Sequence, residues 1–128
     1  MILFVTGNDT NIGKTFITGL LVNCLSQEYK SIAVVKPIES GVSSIKKSDL
    51  NLIKILNKHN LDKLDFFNFY SFKQPLAPLT ASILAKTNIR KEQITKKIHK
   101  LSKLYDLVIV EGVGGLRVPI GKNFEVID

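Results

Sequence analysis

The stretch FVTGNDTNIGKTF, residues 4–16, decides the fold of this chain. A short apolar, β-favouring run leads into a glycine-containing loop, and the loop ends in Gly13-Lys14-Thr15 before a segment with helical spacing. A strand, a loop and a helix in this order direct backbone N–H groups and a helix N-terminus at an anion. The usual phosphate-binding pattern is G-x-x-x-x-G-K-[ST], but Gly7 stands one residue earlier than that pattern requires. The spacing leaves open whether the phosphate site is intact, broken or a variant.

The segment after the loop is predicted to be an amphipathic helix. Its apolar residues recur at helical spacing, and they are Ile17, Leu20, Leu21, Cys24 and Leu25. This pattern places Cys24 on the buried face, where a cysteine behaves as a small hydrophobic residue. As the chain has a single cysteine, it has no internal disulfide framework.

Strands and helices are predicted to alternate along the rest of the chain. The predictions, in chain order, are a strand over 31–37 that is stopped by Pro37, a polar loop over 38–47, a helix that opens at Ser48 and Asp49, an extended or edge segment over 64–72, a short helix over 80–87, a helix over 90–105 and a buried strand over 106–110. Alternating strands and helices predict a three-layer α/β fold with a mainly parallel sheet. No repeat or linker divides residues 1–128, so we expect a single domain.

Composition favours a globular protein of the cytoplasm. Of the 128 residues, 45% are hydrophobic and 23% are charged, and no apolar run approaches the ~20 residues of a membrane helix. The net charge of +7 comes mainly from lysines that alternate with apolar residues, which is typical of solvated helix faces. Arginine, the better reader of bases and phosphates, occurs only as Arg90 and Arg117. We therefore expect no nucleic-acid or membrane partner, although the charge can attract an anionic substrate.

Three predicted strands each carry notable chemistry at their carboxyl ends, where parallel sheets bind ligands. The first strand gives way to the loop ending in Thr15, whose hydroxyl can ligate Mg²⁺, and the last ends at Glu111, a carboxylate suited to a metal. The second carries Lys36, which either reaches solvent or places a cation over a phosphate or carboxylate. Asp49 is either a helix-start acid, which the sequence alone favours, or a second metal ligand.

Four blocks of sequence, in this order, resemble the dethiobiotin synthetase family. They are VTGNDTNIGKT (5–15), KPIESG (36–41), SDL (48–50) and VIVEGVGG (108–115), and LAPLTAS (76–82) is similar to a proline-containing segment of the same family. The family's phosphate loop resembles G-T-D-T-x-V-G-K-T, which also has five residues between its glycines. The resemblance therefore implies a P-loop NTPase-like fold in which Gly7 is in register and Asn8 is no defect. Val113 departs from the alanine usual in the family.

The resemblance also implies a set of site residues. The expected ATP-binding residues are Asn11, Ile12, Gly13, Lys14, Thr15, Phe16, Asp49, Glu111, Gly112, Val113 and Gly114. Thr15, Asp49 and Glu111 are expected to hold Mg²⁺. Lys14 and Lys36 are expected to act in catalysis by neutralising phosphate and the carboxylated substrate, and Ser40 and Thr10 to bind that substrate.

The implied activity is that of an ATP-dependent cyclo-ligase of biotin biosynthesis. It joins CO₂ to 7,8-diaminopelargonic acid through a carbamate and a carbamic–phosphoric anhydride, and closes the ureido ring of dethiobiotin. The family's members are homodimers and continue well past Asp128, so the resemblance implies that the domain is incomplete at its C-terminus.

Two alternatives stand beside the synthetase. One is a partitioning or regulatory ATPase, whose loop usually reads K-G-G-x-G-K-[ST]. Asp9 occupies the position of its additional lysine, which argues against that class. The other is a noncatalytic fragment of the synthetase that keeps the phosphate loop.

Overall fold

The computed structural model describes residues 1–128, except for the side chain of Ile45. Six strands and four α-helices follow one another along the chain. In order, they are β1 (Ile2–Val5), α1 (Lys14–Leu25), β2 (Ile32–Ser40), α2 (Asp49–Leu56), β3 (Leu64–Phe72), α3 (Pro78–Leu84), α4 (Lys91–Leu104), β4 (Leu107–Glu111), β5 (Pro119–Gly121) and β6 (Phe124–Glu125). Short 3₁₀ turns cover Ile45–Lys47 and Leu61–Lys63.

The main sheet has four strands in the order β1-β4-β2-β3, and all neighbouring pairs are parallel. Val5 lies opposite Glu111, and Val35 lies opposite Val110, so β1 and β4 end at the same edge, and β2 continues past it to Ser40. The short strands β5 and β6 form a separate antiparallel ribbon. This topology confirms the predicted α/β fold with a mainly parallel sheet.

Helices cover both faces of the central strands β2 and β4. Alternate strand residues point to opposite faces. One face carries Val34 and Ile109 and is packed by α1 and α2, and the other carries Val35 and Val110 and is packed by α4. Because the two strands are covered on both sides there, residues 32–35 of β2 and 107–110 of β4 are apolar without interruption. Within the described residues, no helix has the length and hydropathy needed to cross a membrane.

The prediction that Pro37 stops the second strand is wrong, because β2 continues to Ser40. Pairing of β2 with β4 ends at Val35, so Pro37 lies where β2 has β3 as its only strand neighbour. Proline is tolerated at such an edge because no second neighbour needs its missing N–H.

The prediction that Cys24 is buried is also wrong, because its side chain is exposed. Helix α1 packs through Thr18, Gly19 and Val22 instead. The hydroxyl of Thr18 donates to Lys14 O at 2.8 Å, so a polar residue can occupy a buried position without an unpaired group. A Cβ on Gly19 would come within 2.6 Å of Leu56 Cδ1, which shows how closely α2 approaches this face. The packing of α2 against α1, rather than the spacing of apolar residues in α1, therefore determines which face of α1 is buried.

Candidate functional site

A cleft of about 740 Å³ lies at the carboxyl ends of β1, β2 and β4. The loop that follows β1 forms one wall and ends at Gly13, whose φ of +95° is readily adopted only by glycine. Helix α1 begins at the next residue, Lys14, so the N-terminus of the helix faces the cleft. Backbone N–H groups that have no helical partner there attract anions.

The loop after β4 packs directly against the phosphate loop. A Cβ on Gly115 would come within 2.4 Å of the backbone oxygen of Asn8, so only glycine permits this approach. Leu116 N donates to Gly7 O at 3.1 Å, which ties the two loops together. The two glycine-rich segments of the sequence therefore form one continuous wall.

Four side chains from four elements, α1, β2, α2 and β4, meet at the bottom of the cleft. Lys36 Nζ lies 2.7 Å from Glu111 Oε1 and 2.8 Å from Asp49 Oδ2. It also donates to the backbone oxygen of Gly112 at 3.2 Å. Thr15 Oγ1 donates to Glu111 Oε1 at 2.7 Å. The arrangement joins the phosphate loop, β2, α2 and β4 through one buried ammonium and two carboxylates.

The two lysines of the cleft have opposite pKa shifts. Burial disfavours the charged form of Lys36, but the nearby carboxylates of Glu111 and Asp49 outweigh it, so the pKa of Lys36 is raised. The pKa of Lys14 is lowered, first by burial and then by the positive charge of Lys36, against the attraction of Glu111, Asp9 and Asp49. Lys14 Nζ donates to the backbone oxygen of Asp9. Lys36 is thus paired with two carboxylates, whereas no carboxylate among the described side chains lies within ion-pair distance of Lys14.

Most of the predicted site residues line this cleft. They are Thr10, Asn11, Gly13, Lys14, Thr15, Phe16, Lys36, Ser40, Asp49, Glu111, Val113 and Gly114. Ile12 and Gly112 do not. The side chain of Ile12 is exposed, and Gly112 borders a separate apolar groove, although its carbonyl oxygen accepts from Lys36.

Sequence reasoning missed Glu39, whose side chain lines the cleft although the residue is only 5% exposed. Its carboxylate accepts a hydrogen bond from Ser48 Oγ at 2.9 Å and another from the backbone N–H of Asp49. Burial raises its pKa, against the lowering effect of these two hydrogen bonds. The sequence offered one signal for Glu39, an acidic residue three positions after Lys36. Because the predicted strand ended at Pro37, this residue was assigned to a polar loop.

The remaining lining residues are apolar and were not predicted as site residues. They are Leu52, Pro75, Leu76, Ala77, Pro78 and Val118. Three of them, Pro75, Leu76 and Ala77, belong to the loop before α3, and Pro78 is the first residue of α3. The cleft therefore has a charged floor and an apolar rim, which suits a ligand with a charged end and a hydrocarbon part.

The oxygen atoms of Thr15, Asp49 and Glu111 fit a hard divalent cation. Mg²⁺ prefers carboxylate and hydroxyl oxygens. Glu111 Oε2 is buried and has no hydrogen-bond partner, although unpaired buried carboxylate oxygens are costly. Among the described residues, no group of three or more His, Cys, Asp or Glu side chains is placed to hold a metal, so the donor set depends on a hydroxyl.

Comparison with known proteins identifies the family of the chain. A family model described as AAA domain matches residues 2–128. A protein of Sulfurovum sp. named ATP-dependent dethiobiotin synthetase BioD is 38% identical over 98% of the chain. Proteins of the same name from Bacillus subtilis and Methanocaldococcus jannaschii are 36% and 35% identical over 96% and 98% of the chain. The chain spans 61%, 53% and 58% of the lengths of these three relatives. The predicted resemblance to dethiobiotin synthetases is confirmed.

Proposed function

Because the chain belongs to the AAA domain family, whose model matches residues 2–128, we propose that it carries the nucleotide site of an ATP-dependent dethiobiotin synthetase. The observation that carries the proposal is the position of Lys36. Its ammonium lies on the floor of the cleft formed by the phosphate loop, between two carboxylates. An ammonium in this position can meet both a phosphoryl group and a carboxylated substrate.

The phosphate loop is proposed to bind ATP. Backbone N–H groups around Gly13 and the start of α1 would hold the phosphates, and Lys14 would add a positive charge. The remaining proposed contacts with the nucleotide come from Asn11, Ile12, Thr15, Phe16, Asp49, Glu111, Gly112, Val113 and Gly114. Asn11 has a positive φ of 55° and lies where the loop turns toward α1, which agrees with a place in the phosphate-binding turn.

The reaction needs charge neutralisation and positioning more than a nucleophilic side chain. One amine of the diamine adds to CO₂ and forms a carbamate, which takes the γ-phosphoryl group of ATP and releases ADP. The second amine then attacks the carbamic–phosphoric anhydride, closes the ureido ring and releases phosphate. Lys36 would offset negative charge that develops on carbamate and phosphoryl oxygens, which is the main task in phosphoryl transfer.

Thr15, Asp49 and Glu111 would hold the Mg²⁺ that accompanies the nucleotide. The unpaired, buried Glu111 Oε2 supports this assignment, because a bound cation would satisfy it. When bound, the cation would neutralise part of the phosphate charge.

The diamine is proposed to lie beside the nucleotide in the same cleft. Ser40 Oγ is buried without a hydrogen-bond partner, so it is available to a substrate, and Thr10 lines the same cleft. The apolar rim formed by Leu76, Pro78 and Val118 suits the hydrocarbon chain of 7,8-diaminopelargonic acid. The family resemblance further supports a single domain over residues 1–128 and a homodimer in the cytoplasm.

Phosphate release by the full protein tests this function. We expect release to require the diamine, bicarbonate, Mg²⁺ and ATP together, and the product to be a cyclic urea. Omission of the diamine is the decisive control, because a partitioning or regulatory ATPase hydrolyses ATP without it. Equal phosphate release with and without the diamine would overturn the proposal.

A further inference from the structure

Glu39 connects the end of β2 to the start of α2. It is the penultimate residue of β2 and lies three positions after Lys36 on the same strand. Its two carboxylate oxygens have different partners: Oε2 accepts from Ser48 Oγ at 2.9 Å, and Oε1 accepts from the N–H of Asp49. Both bonds lie within a part-buried region, where a lost partner is costly.

The bonds from Glu39 replace the usual local cap of α2. Ser48 occupies the N-cap position, and a serine there ordinarily accepts a hydrogen bond from an N–H in the first turn. Ser48 makes no such bond in this structure, and its hydroxyl donates to Glu39 instead. A carboxylate at a helix N-terminus is also favoured by the helix dipole. The start of α2 is therefore fixed by a residue of the sheet.

The helix start that Glu39 fixes is Asp49, whose Oδ2 lies 2.8 Å from Lys36 Nζ. Lys36 and Glu39 both belong to β2. The carboxylate of Glu39 accepts a hydrogen bond from the backbone N–H of Asp49, and the ammonium of Lys36 pairs with the Asp49 carboxylate. One strand therefore contacts both the backbone and the side chain of Asp49. The side chain of Asp49 is 38% exposed and that of Glu111 is 1% exposed, so surrounding side chains enclose Asp49 less than Glu111.

We propose that Glu39 is a positioning residue, which holds Asp49 in place for a divalent cation and for Lys36. The inference rests on the proposed function, since it concerns the same cleft. Glu39 acts through hydrogen bonds rather than as a ligand, because both of its carboxylate oxygens already accept hydrogen bonds from the start of α2. Its contribution resembles that of the outer residues that orient metal ligands, whose loss typically weakens metal affinity roughly 10–100-fold.

Binding of Mn²⁺ with ADP, followed by electron paramagnetic resonance, tests the proposal without requiring turnover. Glu39→Ala removes both hydrogen bonds, and we expect Mn²⁺ to bind about 10-fold or more weakly. Glu39→Gln keeps an oxygen for the Asp49 N–H and an amide group for Ser48, so near-normal affinity is expected. Ser48→Ala removes one of the two bonds and should give an intermediate loss. Glu92→Ala, in the exposed first turn of α4 and outside the cleft, is the matched control and should bind Mn²⁺ normally.

Four outcomes would overturn the inference, and the last of them would overturn the proposed function too. One is a folded Glu39→Ala protein with unchanged Mn²⁺ affinity, which would reduce Glu39 to a structural residue. Another is an equal loss in Glu39→Gln and Glu39→Ala, which would make the charge responsible rather than the hydrogen bonds. If Glu39→Ala does not fold, unchanged affinity in Ser48→Ala has the same meaning. Failure of the unsubstituted protein to bind Mn²⁺ with ADP would overturn the proposed function as well, which separates the two cases.

Discussion

Lys36 Nζ and Glu111 Oε1 lie 2.7 Å apart, and the two side chains are 4% and 1% exposed. The residues follow the last paired positions of adjacent parallel strands, Val35 and Val110. The register of the sheet therefore brings a cation and an anion together where the pairing of β2 with β4 ends. A buried pair of this kind makes each charge dependent on the other, because removal of one partner leaves the other buried and uncompensated.

Replacement of Lys36 should destabilise the protein more than replacement of both partners. For Lys36→Met we expect the free energy of unfolding at neutral pH to fall by about 3 kcal/mol, since Glu111 is left as a buried charge. The double variant Lys36→Met/Glu111→Gln should regain at least about 1 kcal/mol of that loss, as coupled neighbours do. Urea denaturation of the two single variants and the double variant measures the coupling. Additive losses would show that the pair does not interact.

Substitutions of the two lysines of the cleft should affect different steps, nucleotide binding for Lys14 and turnover for Lys36. Lys14→Ala should weaken ATP binding about 10–100-fold, because it removes a charge-assisted contact with phosphate. Lys36→Met should leave ATP affinity nearly unchanged and reduce kcat about 100–1000-fold, as loss of a group that stabilises developing charge does. Isothermal titration with ATP and the phosphate-release assay give the two values. Retained turnover in Lys36→Met would remove Lys36 from the chemistry.

The sequence predicted the sheet and the phosphate loop well because their signals are local. The run LVIV (107–110) is packed by helices on both faces and is apolar throughout. The conformation of the phosphate loop depends on residues of the loop itself, such as Gly13 with its positive φ. Carboxyl ends of parallel strands meet at one edge, so the meeting of Thr15, Lys36 and Glu111 was expected on the condition that their strands are parallel neighbours, which the structure fulfils.

Features that depend on packing between elements were not predictable. Cys24 is exposed because α1 packs through Thr18, Gly19 and Val22, with Leu56 of α2 close to Gly19, and the spacing of apolar residues within α1 does not predict this contact. The role of Glu39 depends on a contact with Asp49 ten residues away, and on a strand that runs through Pro37. For Asp49, the sequence alone favoured a simple helix-start acid, and its contact with Lys36 became visible only in three dimensions.

Tyr105 should titrate above the ordinary tyrosine pKa of about 10. Burial raises the pKa of Tyr105, as does the hydrogen bond that its hydroxyl donates to Asp65 Oδ2 at 2.8 Å. This bond ties the end of α4 to β3. Because the folded-state pKa is the higher one, the contribution of the bond to stability is fully present below about pH 10 and is lost as the pH rises through the raised value.

An ultraviolet titration measures this pKa. The difference between the titrations of the unsubstituted protein and Tyr105→Phe isolates Tyr105 from the other two of the chain's three tyrosines. Asp65→Asn should lower the midpoint toward the ordinary value. A midpoint for Tyr105 that is ordinary in the unsubstituted protein would contradict the prediction.

Gly115→Ala should impair the site while Gly19→Ala should not. A Cβ on Gly115 would come within 2.4 Å of the backbone oxygen of Asn8, so the phosphate loop would have to move. A displacement on the order of 1 Å in a catalytic arrangement can lower the rate about 100-fold, and we expect kcat to fall by that amount.

Gly19→Ala is the control. At Gly19 the nearest atom is Leu56 Cδ1, at 2.6 Å, and this atom is the end of a side chain that can change rotamer outside the cleft. Gly19→Ala should therefore alter the melting temperature and leave kcat near normal. Comparison of kcat and melting temperature for both variants checks the prediction, and an equal loss of kcat in the two would show that general destabilisation, rather than displacement of the phosphate loop, is the cause.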